Sequence, residues 1–173
     1  MREPGKDEVD ELFGAAYEEL RRLAASVRGA GDGQTLNPTA LVNEAYVKLV
    51  RSLRVRPESV LHFKRIAARA MRQVLVEAAR HRKALKRGSG QAMVTFDEQR
   101  DGSTTPEEVI ALDAALDDLA RVNPRQALLV ECRFFGGLET REAAALLDVS
   151  ESTAERDWRA ARAWLSLQIR RNG

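Results

Sequence analysis

Residues 88–106, "GSGQAMVTFDEQRDGSTTP", carry four glycine or proline punctuations and no helical period, while nearly every segment on either side reads as helix. Nineteen such residues exceed what a compact domain usually places between two elements. The expected fold is therefore all-α, with two small helical domains at about 7–87 and 107–170 and a flexible linker at 88–106 between them. A length of 173 residues suits one ordinary domain or two small ones. An apolar content of 44% beside 31% charged residues excludes a chain disordered throughout.

Apolar residues mark each helix by their three- and four-residue steps. Leu12, Phe13, Ala16, Tyr17, Leu20, Leu23, Ala24 and Val27 form the first set, which "GAGDGQ" at 29–34 ends. Asn37-Pro38 opens a second helix through Leu41, Val42, Ala45, Tyr46, Leu49 and Leu53. Pro57 opens a third that runs to about Arg87, with one buried stripe of Phe63, Ile66, Ala67, Ala70, Met71, Val74, Leu75 and Ala78. Thr105-Pro106-Glu107-Glu108 reads as a capping box, and Asn123-Pro124-Arg125-Gln126 repeats the device one helix later.

The stretch "ETREAAALLDVSESTAERDWRAARAW" has the layout of a helix-turn-helix. Ala143, Ala144 and Leu147 suit a close helix crossing, "DVS" makes the turn with Val149 inward, and Ser150 caps the second helix. At 100° per residue, Ala154, Trp158, Ala161 and Leu165 share one inward sector. Ser152, Arg156 and Arg159 lie opposite, with Arg162 on the flank. Trp158 is thus expected to plug the core while the arginines face a nucleic acid. The competing reading pairs those arginines with Glu155 and Asp157 on a solvated helix.

The net charge of +2 hides an asymmetry. Residues 62–87 hold nine Lys and Arg against one acid, a net of +8, whereas 107–173 hold nine against twelve. A single-sign block of this kind points to a polyanion, and its cations would bind phosphates in a salt-sensitive way. Catalysis is not expected, because no nucleophile has an evident base partner. His62 and His81 stand without ligand-spaced neighbours, so neither a metal nor another cofactor is expected. Cys132 reads as a small core residue. No apolar run could span a bilayer, and "MREPGKDEVDE" lacks the core of a signal peptide, so a cytoplasmic location and no membrane partner are expected.

The combination of a basic helical domain, a linker and a helix-turn-helix resembles bacterial RNA polymerase sigma factors of the extracytoplasmic-function (ECF) type. Phe63, Ile66-Ala67, Arg72-Gln73, Glu77 and Arg80 fall at the spacing of a family motif, with Ile66, Gln73 and Glu77 departing from its commonest residues. "LNPTALVNEAYVKLV" is similar to the family's helix for the polymerase clamp, and residues 123–165 to its −35-binding domain. The resemblance covers roughly residues 10–170. It implies a non-enzymatic promoter-specificity subunit whose partners are core RNA polymerase, at the β′ clamp and β flap, promoter DNA, and an anti-sigma factor.

Carried onto matching positions, the resemblance implies −35 contacts from Arg141, Ser152, Thr153, Arg156, Arg159 and Arg162. It implies −10 contacts from Phe63, Arg65, Arg69, Arg72, Gln73, Arg80, Arg82 and Lys83, and clamp contacts from Asn43, Glu44, Val47 and Lys48. The residues alone leave open a stand-alone helix-turn-helix regulator and a helical protein-binding adaptor. The acidic N-terminal stretch and the linker acids are expected to mask the basic helix by pairing of unlike charges.

Overall fold

The computed structural model describes residues 11, 14, 38–52, 59–85 and 106–172. Among these residues there are six α-helices, one π-helical segment and no strand, as the periodicity predicts. Most of the 12–27 segment, the "GAGDGQ" turn, Asn37, Pro57 and the linker up to Thr105 lie outside the described residues. Helix α1 spans Pro38–Ser52, α2 spans Val60–Leu85 and α3 spans Pro106–Val122. Helix α4 (Pro124–Val130) runs into the π segment Glu131–Phe135, followed by α5 (Thr140–Leu146) and α6 (Glu151–Asn172).

Helix α2 starts later than Pro57 would place it. The Ser59 hydroxyl accepts the His62 N–H at 3.1 Å and the Ser59 carbonyl accepts the Phe63 N–H at 2.9 Å. Serine, with a free side-chain acceptor, thus supplies the cap. The helix then runs without a break; of the expected stripe Ile66 and Ala78 are only half-buried, while Ala68, Val76 and Ala79, outside it, are buried and widen it beyond Leu75 to a second side. Phe63, Ala67, Ala70, Met71 and Val74 line one side, while Ala68, Leu75, Val76 and Ala79 line the other. The first is left for α1, with Val42 and Ala45; the second meets α3 and the π segment. One continuous core therefore runs from α1 to Ile169 of α6 through both expected halves.

In α3 the residues Val109, Leu112, Ala115, Leu116 and Leu119 repeat at helical steps and all are buried. Pro106 is the first residue of this helix, in the first turn where the Thr105-Pro106-Glu107-Glu108 pattern puts it. Asn123 caps α4 as expected, its Oδ1 accepting the Gln126 N–H at 3.2 Å. The second half of that capping box is not formed. Gln126 instead extends its Nε2 to Asp157 Oδ1 at 3.5 Å, and Arg125 Nε donates to Asp157 Oδ2 at 2.8 Å. Asp157 is buried on α6, and a carboxylate taken out of water needs such donors more than a helix end exposed to water does.

Candidate nucleic-acid interface

The end of α5 and the start of α6 form the turn that the sequence predicts. The Leu147 N–H closes α5 onto Ala143, and the Val149 N–H reaches back to the Ala144 carbonyl at 3.0 Å. Asp148 between them takes φ 54°, the left-handed region that Asp tolerates better than most side chains. The Ser150 Oγ accepts the Thr153 N–H at 3.2 Å and donates to the Thr153 hydroxyl at 2.9 Å, fixing the start of α6. Ala143, Ala144 and Ala154 are fully buried where the two helices cross, and their small side chains permit that approach.

Ala154, Trp158, Ala161, Leu165 and Ile169 form the inner stripe of α6. Trp158 is 9% exposed, and the Arg133 guanidinium lies 4.0 Å from its ring centroid. The outer side presents Ser152, Arg156 and Arg159, all exposed, with Arg162 and Thr153 half-buried beside them. Asp157 belongs to Arg125 and Gln126 of α4, so it does not neutralise the outer arginines. Arg159 Nε donates to the Glu155 backbone carbonyl at 3.4 Å. Arg141 projects from α5 with 86% of its side chain exposed, its Nε 3.8 Å from Glu151. Arg141, Ser152, Thr153, Arg156 and Arg159 thus lie on α5 and the first turns of α6, whereas Arg162 is half-buried farther along α6.

The basic helix is divided. Arg65, Arg69, Gln73, Arg80 and Lys83 are exposed, whereas Phe63 is wholly in the core and Arg82 is buried. Arg72 is only 16% exposed and sits among carboxylates of the C-terminal half. Its Nε donates to Asp113 Oδ1 at 2.8 Å, Nη1 to Glu131 Oε2 at 2.8 Å, and Nη2 to Asp117 Oδ1 at 2.7 Å. Nη2 also reaches the Asp113 carbonyl at 3.0 Å, and Arg80 stands 3.4 Å from Asp113 Oδ2. Burial pulls the Arg72 pKa down, but hydrogen bonds to Glu131, Asp117 and Asp113 outweigh it and hold the pKa above the ordinary arginine value. Burial also pushes the Cys132 thiol up to about 12, with Glu131 adding to the shift and Arg65 opposing it. That thiol stays neutral, as expected for a core residue.

A second link joins the halves at Lys64, whose Nζ donates to Glu142 Oε1 at 2.7 Å. Partial burial raises the Glu142 pKa, but Lys64 and the Glu139 N–H more than offset this, leaving it below the usual carboxylate value. The sequence reading missed Lys64, Asp113, Asp117, Glu131 and Glu142 as a set. Two signals could have found them: the acidic excess of residues 107–173, and the four-residue spacing of Asp113 and Asp117 on one helix face.

On α1, Asn43, Glu44 and Val47 are exposed, and Lys48 is half-buried with its Nζ 2.6 Å from both Glu77 carboxylate oxygens. Three of the four expected clamp residues therefore share an open surface, while the fourth is tied to α2. Among the described residues no group of three or more His, Cys, Asp or Glu could hold a metal ion, and no helix is long and apolar enough to cross a membrane.

The family described as "ECF sigma factor" matches residues 2–171. No curated protein and no solved structure matches the chain. The family match spans both helical halves, including the capped helix-turn-helix and the basic α2. The chain belongs to the ECF sigma factor family: it is a non-enzymatic subunit that binds core RNA polymerase and promoter DNA and directs promoter recognition in transcription initiation.

Proposed function

We propose that α6 reads the −35 element, with Ser152, Arg156 and Arg159 at base edges and Arg141, Thr153 and Arg162 bracing the backbone. The observation that carries this is the one-sided geometry of α6, with Trp158 inward and Arg156 and Arg159 outward directly after a capped turn. Helix α2 serves the −10 element through Arg65, Arg69, Gln73, Arg80 and Lys83, joined by Arg72 and Arg82 once the chain is loaded, whereas Phe63 stays in the core. Helix α1 faces the β′ clamp with Asn43, Glu44, Val47 and Lys48, and the C-terminal half meets the β flap. An anti-sigma factor is a further partner, and the chain works in the cytoplasm beside polymerase and promoter.

The functional units are 7–87 and 107–170, with 88–106 between them. Fully extended, those 19 residues span at most about 65 Å, enough for sites roughly two turns of duplex apart. The test is promoter binding by the holoenzyme with Arg156→Ala. Affinity for a promoter with its native −35 element should fall by about 1–3 kcal/mol, with little loss on a template whose −35 element is scrambled. Equal losses on both templates would count against base reading by Arg156.

A further inference from the structure

Asp157 has no place among the DNA contacts assigned above, yet it stands between Arg156 and Trp158 on α6 and is only 6% exposed. A carboxylate on a helix that meets phosphates repels them, and a buried one also costs free energy to desolvate. Donors on α4 offset both effects. Arg125 brings Nε and Nη2 to Asp157 Oδ2, each at 2.8 Å, and Gln126 Nε2 reaches Oδ1 at 3.5 Å. One residue on, the Arg133 guanidinium of the π segment lies 4.0 Å from the Trp158 ring centroid. Two adjacent positions of α6 are therefore held by two different elements.

With about 100° per residue, the direction midway between Asp157 and Trp158 is opposite the direction midway between Arg156 and Arg159. The two holds thus lie behind the two exposed arginines and resist rotation of α6 about its own axis. The Ser150 cap fixes where the helix begins, but a cap alone leaves that rotation open. A roll of about 20° would carry side-chain atoms at a radius of roughly 5–6 Å sideways by about 2 Å. A bidentate hydrogen bond to a base edge does not tolerate such a shift. We propose that Asp157, through Arg125, is a positioning residue for −35 recognition: the α4–α6 ion pair sets the rotation of α6, and with it the aim of Arg156 and Arg159. This rests on the reading of α6 as the −35 helix. Neither Asp157 nor Arg125 touches DNA in this role.

The test is holoenzyme binding to two promoters that share a −10 element, one with its native −35 element and one with that element scrambled. Asp157→Ala, Arg125→Ala and the double variant are compared with wild type. The two single changes alter charge in opposite senses. Asp157→Ala leaves Arg125 unneutralised and should hold or tighten binding to the scrambled promoter, whereas Arg125→Ala leaves the Asp157 carboxylate without its counter-charge and should weaken it. Preference for the native over the scrambled element should nevertheless fall about tenfold in both, the scale of one lost base contact. The double variant should lose no more than either single, because all three remove the same interaction. Arg125 has 47% of its side chain exposed, so its removal leaves the core filled and keeps the test open if Asp157→Ala folds poorly. An unchanged preference in Arg125→Ala, or a double-variant loss equal to the product of the two single losses, would overturn the proposal. Equal losses on the two promoters would do the same, since they mark a fold defect or a backbone contact. Arg156→Ala on the same promoters separates this role from the reading beneath it. Preference lost with Arg156→Ala but kept with Arg125→Ala refutes the positioning role alone, whereas preference kept with Arg156→Ala removes both.

Discussion

Trp158 and Arg156 lie two positions apart on α6 and do opposite things. The indole completes the core of the C-terminal half while the guanidinium stands in solvent. This division was legible in the sequence because helical spacing alone separates the two directions. Arg72 was not legible in the same way. Its chemistry suits DNA phosphate, but carboxylates of equal suitability are brought to it by tertiary packing, which spacing along one helix does not reveal. Glu142 shows how a single side chain links local and global order, since its Oε2 accepts the Glu139 N–H at 3.0 Å and its Oε1 accepts Lys64. Its folded-state pKa is depressed, so the stability it contributes is present above its unfolded value and is lost as pH falls through the lower folded value. Wild type should therefore resist urea better than Glu142→Gln at neutral pH, and the two should converge on acidification below the ordinary glutamate range. A gap that persists or widens in acid would show that the ion pair is not its source.

At the scale of elements, α3 and α6 follow their apolar periods closely, and α6 takes the Ser150 cap expected of it. Helix α2 does not, because the sequence reading assigned it one stripe and it has two. Ala68, Leu75, Val76 and Ala79 do recur at helical steps, yet cations interrupt them, and Lys or Arg stems can cover such a stripe without marking it polar. The π segment Glu131–Phe135 was likewise invisible, since its residues read as a continuation of α4. The cap at Asn123 was legible, but the destination of Gln126 depended on Asp157, thirty-one residues away in the chain. Helix α6 allows core and surface effects to be separated. Trp158→Ala should cost about 3–5 kcal/mol of stability by removing a buried aromatic and its contact with Arg133. Arg156→Ala, on the exposed side, should change stability by less than about 0.5 kcal/mol. Urea unfolding of both variants checks this, and similar losses would contradict the inward-outward division of the helix.

For the molecule as a whole, the charge asymmetry has two meanings. A +8 segment suits α2 to a polyanion, and the −3 of residues 107–173 makes the C-terminal half its complement. The sequence reading looked for a mask in the N-terminal stretch and the linker acids, both outside the described residues. Among the described residues, the acids paired with α2 cations come from α3, the π segment and α5. The helices and the helix-turn-helix could be read from punctuation and period. The one core that these helices share could not, because apolar residues record that they are buried but not against which partner. The most direct measurement is run-off transcription with purified core RNA polymerase from the same cell, on genomic promoter fragments, with and without this chain. The account predicts initiation from a defined promoter subset only when the chain is present, and no stimulation on any promoter would contradict it.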